Sequence, residues 1–179
     1  GTRRKKVTSL DKAILLSSSA LWRQVMEETH RDYPHIELEH MLVDHGAFEL
    51  ISSPDAFDVI VASNVFGDII ADEAAGLTGA GEFLPAGSLN AGKRGIYCPN
   101  QLHQVHEELA GTGKANPMGM ILAGAMMLEY SFGLCREAEC VRKAVYRVME
   151  HGIGGRPCWS GREQTASTEL IGEAVRACL

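Results

Sequence analysis

The sequence predicts an α/β fold in which strands and helices alternate along the chain. Short apolar segments rich in branched residues are followed by longer segments in which apolar residues recur with helical spacing. With 179 residues, of which 45% are hydrophobic and 22% charged, the chain has enough apolar material for a core in one domain or little more. No internal repeat or low-complexity segment interrupts the alternation.

The first half predicts strands that alternate with helices. A helix whose apolar side carries Leu15, Leu21, Trp22, Val25 and Met26, and whose polar side carries Glu27, Glu28 and Arg31, follows the first strand. Hydrophobic alternation, short apolar runs and turn residues predict the strands, the second helix and the turn of this half. The segments are a strand near Lys6 to Leu10, a strand from Ile36 to Val43, a helix from Gly46 to Ile51, a turn from Ser52 to Asp55, and a buried strand from Phe57 to Ala62.

The second half is predicted to be richer in helices. Glycine and small residues predict loops with one short strand from Gly76 to Gly95, which end at Ile96 to Pro99. Pro117 is expected to open a long helix through Tyr130, whose apolar residues form core. A helix from Glu137 to Gly152 follows, and Thr168 can cap a last helix to Cys178.

Two carboxylates one helical turn apart give the strongest local signal. Asp68 and Asp72 follow the buried strand, and Gly67 is expected to supply the turn into their helix. Residues at i and i+4 share one helix face, so the pair can bind a hard cation such as Mg²⁺ or Mn²⁺. The alternative is an acidic first turn that complements the helix dipole. The position, at the carboxyl end of a strand, is where open α/β sheets bind ligands.

Charge and cysteine usage exclude some classes of partner. The formal net charge of −6 gives no reason to expect nucleic acid or an anionic membrane as a partner, and no apolar stretch approaches a membrane span. The 5 cysteines are an odd number without paired C-x-x-C spacing. We therefore expect a reduced, cytoplasmic protein.

Several linked motifs carry a family resemblance over almost the whole chain. They are Val7-Thr8-Ser9-Leu10-Asp11-Lys12-Ala13, Leu42-Val43-Asp44-His45-Gly46-Ala47, Phe66-Gly67-Asp68-Ile69-Ile70-Ala71-Asp72-Glu73 and Ala115-Asn116-Pro117. In order and spacing these resemble the V-D-K-A, V-D-x-A-A, F-G-D-I-x-S-D-E-A and A-N-P motifs in the C-terminal half of the β-decarboxylating dehydrogenases, in particular the isopropylmalate dehydrogenases. The resemblance implies an isopropylmalate/isocitrate dehydrogenase-like fold that lacks its N-terminal half and has dimerising helices. It also implies a division of residues 1–90, for dimerisation and metal, from residues 91–179, for the nucleotide.

The resemblance implies specific roles for four residues. Lys12 is the proton-transferring lysine, and Asp44, Asp68 and Asp72 hold a divalent metal together with a small-molecule substrate. In the family the lysine and the first aspartate enter the site from the partner subunit. The chain is therefore expected to form a homodimer that combines both contributions, with Lys12, Asp68 and Asp44 as the catalytic set. Asp11 can be an acidic cap or a partner behind the site.

The nucleotide loop departs from the family pattern. The resemblance places His103 on the family's histidine, Glu108 on the acid that binds ribose and Asn116 on the adenine contact. However, Gln104-Val105-His106-Glu107 stands where the family has Gly-Ser-Ala-Pro, and Cys98 replaces a glutamate. Bulky polar side chains where backbone must approach a ligand make NAD an unlikely cofactor. His103 and His106 are expected to be surface residues, Cys98 a structural thiol, and Asn116 can simply cap the next helix.

Three functions are consistent with these residues. The preferred one is a redox-neutral acid/base enzyme, metal-assisted or not, that isomerises, decarboxylates, eliminates from or cyclises a carbonyl or carboxylate metabolite. The alternatives are an NAD- and Mg-dependent dehydrogenase of 2-hydroxy acids, or a fragment of one, and a non-catalytic partner subunit.

Overall fold

The computed structural model describes residues 3–78, 81–99, 107–153 and 166–179. Its contacts divide the chain into two compact units, one ending at Leu77 and the other beginning at Thr78. Strands and helices alternate as expected, so the predicted α/β class is confirmed. The functional division between residues 90 and 91 is a separate matter and stays a prediction.

The first unit is built on a parallel sheet of three strands in the order β2-β1-β3. Register pairs such as Leu10 with Met41 on one side and with Ala62 on the other align the carboxyl ends of the strands. Each strand leads into a helix, as parallel sheets require. The elements are β1 (Lys6–Asp11), α1 (Ser17–His30), β2 (Glu37–Leu42), α2 (Val43–Ser52), β3 (Val59–Ala62) and α3 (Asn64–Thr78).

Helix α1 docks on this sheet through polar side chains. Trp22 Nε1 donates to Ser9 Oγ at 2.9 Å, and Arg23 Nε donates to Asp11 Oδ2 at 2.7 Å. The residues of the predicted apolar side therefore differ in burial. Trp22 and Met26 are half-buried, whereas Leu21 is 59% and Val25 49% exposed.

The second unit places a two-stranded hairpin beside three helices. Strands β4 (Pro85–Leu89) and β5 (Gly95–Pro99) pair antiparallel, and α4 (Met118–Tyr130), α5 (Cys135–Glu150) and α6 (Thr168–Ala177) follow. The predicted core role of α4 is confirmed for Met118, Leu122 and Ala125, which are buried. The wider core of this unit contains Phe83, Met118, Leu122, Ala144, Val145, Val148, Ile171 and Val175.

Three local predictions need correction. Gly67 lies inside α3, and its N–H donates to Ser63 O at 2.8 Å, so it is a helical residue and not the turn. The segment predicted as loops with one short strand does contain one short strand, β4, but its first residues belong to the end of α3. The cap of α6 is Ser167, whose hydroxyl accepts from Leu170 N, and Thr168 is the first helical residue.

Within the described residues no helix is long and apolar enough to cross a membrane. The four cysteines among them, Cys98, Cys135, Cys140 and Cys178, are free thiols. The sequence from Gly152 to Pro157 is expected to end α5, and Gly152 has a positive φ of 74°. Residues 154–157 lie outside the described residues.

Candidate functional site

The predicted site residues of the first unit all follow strands at one edge of the sheet. Lys12 comes directly after β1, Asp44 is the second residue of α2 after β2, and Asp68 and Asp72 lie on α3 after β3. Because the three strands are parallel, their carboxyl ends face the same way. This edge is the usual ligand-binding end of an α/β sheet.

Lys12 and Asp44 form a direct ion pair at this edge. Lys12 Nζ donates a hydrogen bond to Asp44 Oδ1, with the lysine side chain 20% and the aspartate side chain 65% exposed. This bond, together with the backbone N–H of Asp44, holds the pKa of the Asp44 carboxyl below its ordinary value. An ionised, accessible carboxylate is therefore held against a lysine ammonium, an arrangement suited to proton transfer and to binding a cation.

Asp68 and Asp72 lie in the second and third turns of α3, which begins at Asn64. Asp68 is exposed and accepts a hydrogen bond from Asn64 Nδ2 at 3.0 Å, and Asp72 is half-buried. The separation of one turn predicted from the sequence is confirmed, because both residues lie within the continuous helix Asn64–Thr78.

The donor types at this edge suit a divalent metal, since carboxylate oxygens are the ligands that Mg²⁺ and Mn²⁺ prefer. Among the described residues, however, no three His, Cys, Asp or Glu side chains come close enough to hold one ion. Within one chain the carboxylates form two separate groups. Asp44 is paired with Lys12, and Asp68 and Asp72 share a face of α3. A site with three such protein ligands would need a further contributor.

The predicted nucleotide contacts are not brought together in the described part of the second unit. Asn116 Oδ1 accepts from Met118 N at 3.0 Å, so this side chain caps α4, the structural role considered for it. Glu108 is exposed on the short helix Glu107–Leu109, and Cys98 is exposed on β5. His103 and His106 lie outside the described residues.

The structure also identifies a contact that sequence reasoning missed. Asp11, which immediately precedes Lys12, is only 1% exposed and is paired with Arg23 of α1. The sequence alone leaves Asp11 between an acidic cap and a partner behind the site and gives Arg23 no role, because an amphipathic pattern does not show which side chains a helix meets on its sheet.

Fold and site together define the class: an α/β protein with a lysine and carboxylates at the carboxyl edge of a parallel sheet. The sequence matches the family model described as isocitrate/isopropylmalate dehydrogenase over residues 1–175. The chain belongs to this family, as the resemblance predicted.

Curated relatives and solved structures agree with the assignment. The chain is 47% identical to a 3-isopropylmalate dehydrogenase of Shouchella clausii, in a match that covers 99% of this chain and 48% of the relative. It is similar to the crystal structure of isocitrate dehydrogenase from Methylococcus capsulatus, with a TM-score of 0.82, 33% identity, and coverage of 98% of this chain and 51% of that one. A β-decarboxylating dehydrogenase of Thermococcus kodakarensis gives a TM-score of 0.81 at 30% identity, over 96% of this chain and 48% of the other.

The chain therefore spans about half the length of the curated relatives it matches. The comparisons favour the dehydrogenase alternative over the redox-neutral activity preferred from the altered nucleotide loop, since the relatives are named 3-isopropylmalate dehydrogenases. They likewise give no support to the expectation that NAD is excluded.

Proposed function

We propose that this chain supplies the lysine- and metal-bearing half of a cytoplasmic, NAD-dependent dehydrogenase of the 3-isopropylmalate type. The observation that carries the proposal is the placement of Lys12, Asp44 and Asp68 at the carboxyl ends of three adjacent parallel strands. The sequence identity to named 3-isopropylmalate dehydrogenases supports the substrate class, a 2-hydroxy acid with a second carboxylate. We rank the redox-neutral activity below the dehydrogenase activity, because the altered nucleotide loop is its single support and the named relatives are dehydrogenases.

A homodimer is the second part of the proposal. The segment before α1 and its outer face expose large apolar side chains, Ile14 at 67%, Leu15 at 74% and Leu21 at 59%. On α3, Val65 and Ile69, which flank Asp68, are 67% and 60% exposed. Apolar faces of this kind, next to polar site residues, mark surfaces that a partner covers. A second copy covering them would bring its own Lys12–Asp44 pair to the Asp68/Asp72 face of the first.

The residues then have separable tasks. Asp68 and Asp72 of one copy, with Asp44 of the other, would hold Mg²⁺ or Mn²⁺, which supplies charge stabilisation for an oxyanion developing on the substrate. Lys12 stands beside Asp44 with its ammonium donating at Nζ, in position to give a proton to the substrate or remove one from it. Asn64 orients the Asp68 carboxylate by its hydrogen bond. The nucleotide half of the proposal rests on family membership alone, because Asn116 uses its side-chain oxygen as a cap.

Titration with Mn²⁺, followed by the loss of the free-ion paramagnetic resonance signal, tests the carboxylate assignment without requiring turnover. Asp68→Asn and Asp72→Asn should each weaken Mn²⁺ binding by roughly tenfold or more, and Asp44→Asn should do so in the dimer only. Asp32→Asn is the matched control, because Asp32 is an exposed aspartate in the turn between α1 and β2, at the other end of the sheet. Equal binding in Asp68→Asn and Asp32→Asn would refute the assignment.

Dehydrogenase activity needs a second assay. The chain can be coexpressed with the N-terminal half of the Shouchella clausii relative, and NADH formation from 3-isopropylmalate measured with Mn²⁺ present. We expect turnover in the assembled protein and its loss in Lys12→Ala. Turnover that survives Lys12→Ala would contradict the role of the lysine.

A further inference from the structure

A buried carboxylate immediately precedes the exposed Lys12–Asp44 pair. Asp11, at the end of β1, is 1% exposed, whereas the Asp44 side chain is 65% exposed. Burial of an ionised carboxylate is costly unless its oxygens find charged or hydrogen-bonding partners. Both Asp11 oxygens have such partners: Oδ2 accepts from Arg23 Nε at 2.7 Å and Oδ1 accepts from Ala13 N at 2.8 Å.

Hydrogen bonds hold the backbone around Lys12. The bond from Ala13 N closes a turn of the backbone around Lys12. The carbonyl oxygen of Lys12 in turn accepts from Leu15 N and Leu16 N, both at 2.9 Å. These hydrogen bonds restrain the backbone of Lys12. Because the Cα position is held, the lysine ammonium can point in fewer directions.

Arg23 also determines which carboxylate Lys12 can bind. The lysine side chain is long and flexible, and an Asp11 carboxylate without its guanidinium partner would be a second anionic partner for the ammonium. The guanidinium of Arg23 already binds Asp11 Oδ2, and the Asp11 carboxylate is only 1% exposed whereas that of Asp44 is 65% exposed. Lys12 is left to reach forward to Asp44.

We propose that Asp11 and Arg23 form a positioning pair that holds Lys12 on Asp44. Asp11 fixes the turn that carries the lysine, and Arg23 keeps Asp11 from competing for the lysine ammonium. Neither residue touches the reacting atoms in this role. The effect of this pair on catalysis rests on the proposed function. Its effect on the orientation of Lys12 does not depend on that function.

The order parameter of the Lys12 ε-methylene group, measured by NMR on protein carrying labelled lysine, reports this orientation directly. Lys12→Arg identifies its signal. Lys143, whose side chain is 65% exposed in a surface pair with Glu139, supplies the reference for a loosely held lysine. We expect Lys12 to be more ordered than Lys143 in the wild type, and to fall to the Lys143 value in Arg23→Gln.

Two further variants separate positioning from simple helix docking. Trp22→Phe removes the neighbouring contact of α1 to Ser9, so it loosens the same helix on the same sheet without touching Asp11. We expect it to leave the Lys12 order parameter unchanged. Arg23→Lys, which keeps the positive charge, should restore most of the order lost in Arg23→Gln.

Asp11→Asn keeps an oxygen that can accept from Ala13 N but loses the ion pair with Arg23 that anchors this side chain, so the turn at Lys12 should loosen, though less than in Arg23→Gln. It also keeps the comparison decisive if Arg23→Gln does not fold, since Lys12 should still be less ordered in Asp11→Asn than in Trp22→Phe. An order parameter that is unchanged in Asp11→Asn, or lowered as much by Trp22→Phe as by the other variants, would overturn the proposal.

Steady-state kinetics of the chain coexpressed with the N-terminal half of the relative measure the effect of the Asp11–Arg23 pair on catalysis. Arg23→Gln should lower kcat by roughly tenfold or more while the KM for NAD stays unchanged, and Arg23→Lys should recover most of the loss. Loss of Lys12 order without any wild-type turnover would mean that the proposed function fails while the positioning role stands. Turnover that is insensitive to Arg23→Gln, with Lys12 order lost, would refute the catalytic consequence.

Discussion

Gly46 lies so close to Leu10 that a Cβ atom at position 46 would stand 2.7 Å from Leu10 Cδ2. The family motifs have alanine where this chain has Gly46 and valine where it has Leu10. The larger residue on β1 is thus matched by the smaller residue on α2. The pair fixes the approach of α2, and with it Asp44, to the strand that ends at Lys12.

The first prediction is that this pair is energetically coupled. Gly46→Ala should destabilise the chain by about 1 kcal/mol, because overpacking against buried Leu10 outweighs the gain in helix propensity. Leu10→Val alone should also cost about 1 kcal/mol, by leaving a cavity. The double variant should be close to wild type in urea unfolding, with a coupling energy of about 1 to 2 kcal/mol.

Gly67→Ala is the control for that cycle. Gly67 also lies early in a helix that follows a strand, but a Cβ there would meet Ala62 Cβ only at 3.8 Å. This substitution should stabilise the chain by up to about 1 kcal/mol. Strictly additive effects of Gly46→Ala and Leu10→Val would show that the two positions do not compensate each other.

The second prediction concerns the acid end of the pH range. Lys12 is the leading cause of the lowered pKa of Asp44, so Lys12→Met should raise that pKa back towards its ordinary value. A lowered pKa in the folded state contributes stability above the pKa of the unfolded chain, and this contribution is lost as pH falls through the folded value. The Lys12–Asp44 ion pair should therefore persist at neutral pH. It should break only when the pH falls below the ordinary pKa range of aspartate.

Carbon-13 NMR of the Asp44 carboxyl group measures this titration. Lys143→Met is the matched control, since it removes a lysine from an exposed pair on α5 in the other unit. It should leave the Asp44 titration unchanged. An Asp44 pKa that is the same in wild type and Lys12→Met would contradict the ion pair.

Predictability differed between local and tertiary features. The strand ending at Asp11, the buried face of α4 and the spacing of Asp68 and Asp72 follow from hydrophobic periodicity and helix geometry, which sequence displays directly. The parallel order of the strands then places Lys12, Asp44 and Asp68 at one edge. That much of the site was predictable because each residue lies next to a strand end in the sequence.

The features that were missed depend on what an element packs against. Helix α1 meets Ser9 and Asp11, and an amphipathic pattern cannot reveal that its sheet offers polar partners there. For the same reason the pairing of Asp11 with Arg23 had no local signal. Glycine commonly marks a turn, so the sequence predicts one at Gly67. In the structure the helix begins earlier, at Asn64.

The third prediction tests the homodimer through the outer face of α1. Leu21→Glu combined with Val25→Glu places charges on side chains that are 59% and 49% exposed in a single chain, so folding should be little affected. Burying these charges against a second copy would be strongly unfavourable, and the variant should be a folded monomer. Light scattering gives the mass and circular dichroism the fold.

Leu170→Glu is the control for a charge introduced on an exposed leucine. Leu170 is 52% exposed on α6, and we expect this variant to keep the mass of the wild type. A wild-type chain that is monomeric at micromolar concentration would contradict the dimer and the shared cation site with it.

The fourth prediction separates the two roles considered for Asn116. As the acceptor for Met118 N, Asn116 should stabilise α4, so Asn116→Ala should cost about 1 kcal/mol while Asn116→Asp retains the cap. Ser167→Ala, which removes the equivalent acceptor for Leu170 N at α6, should cost a similar amount. Thermal unfolding of the three variants measures the caps. Calorimetric titration of the assembled protein with NAD then tests the adenine contact: weaker binding in Asn116→Asp than in Ser167→Ala would establish it, and equal binding would leave Asn116 with the cap alone.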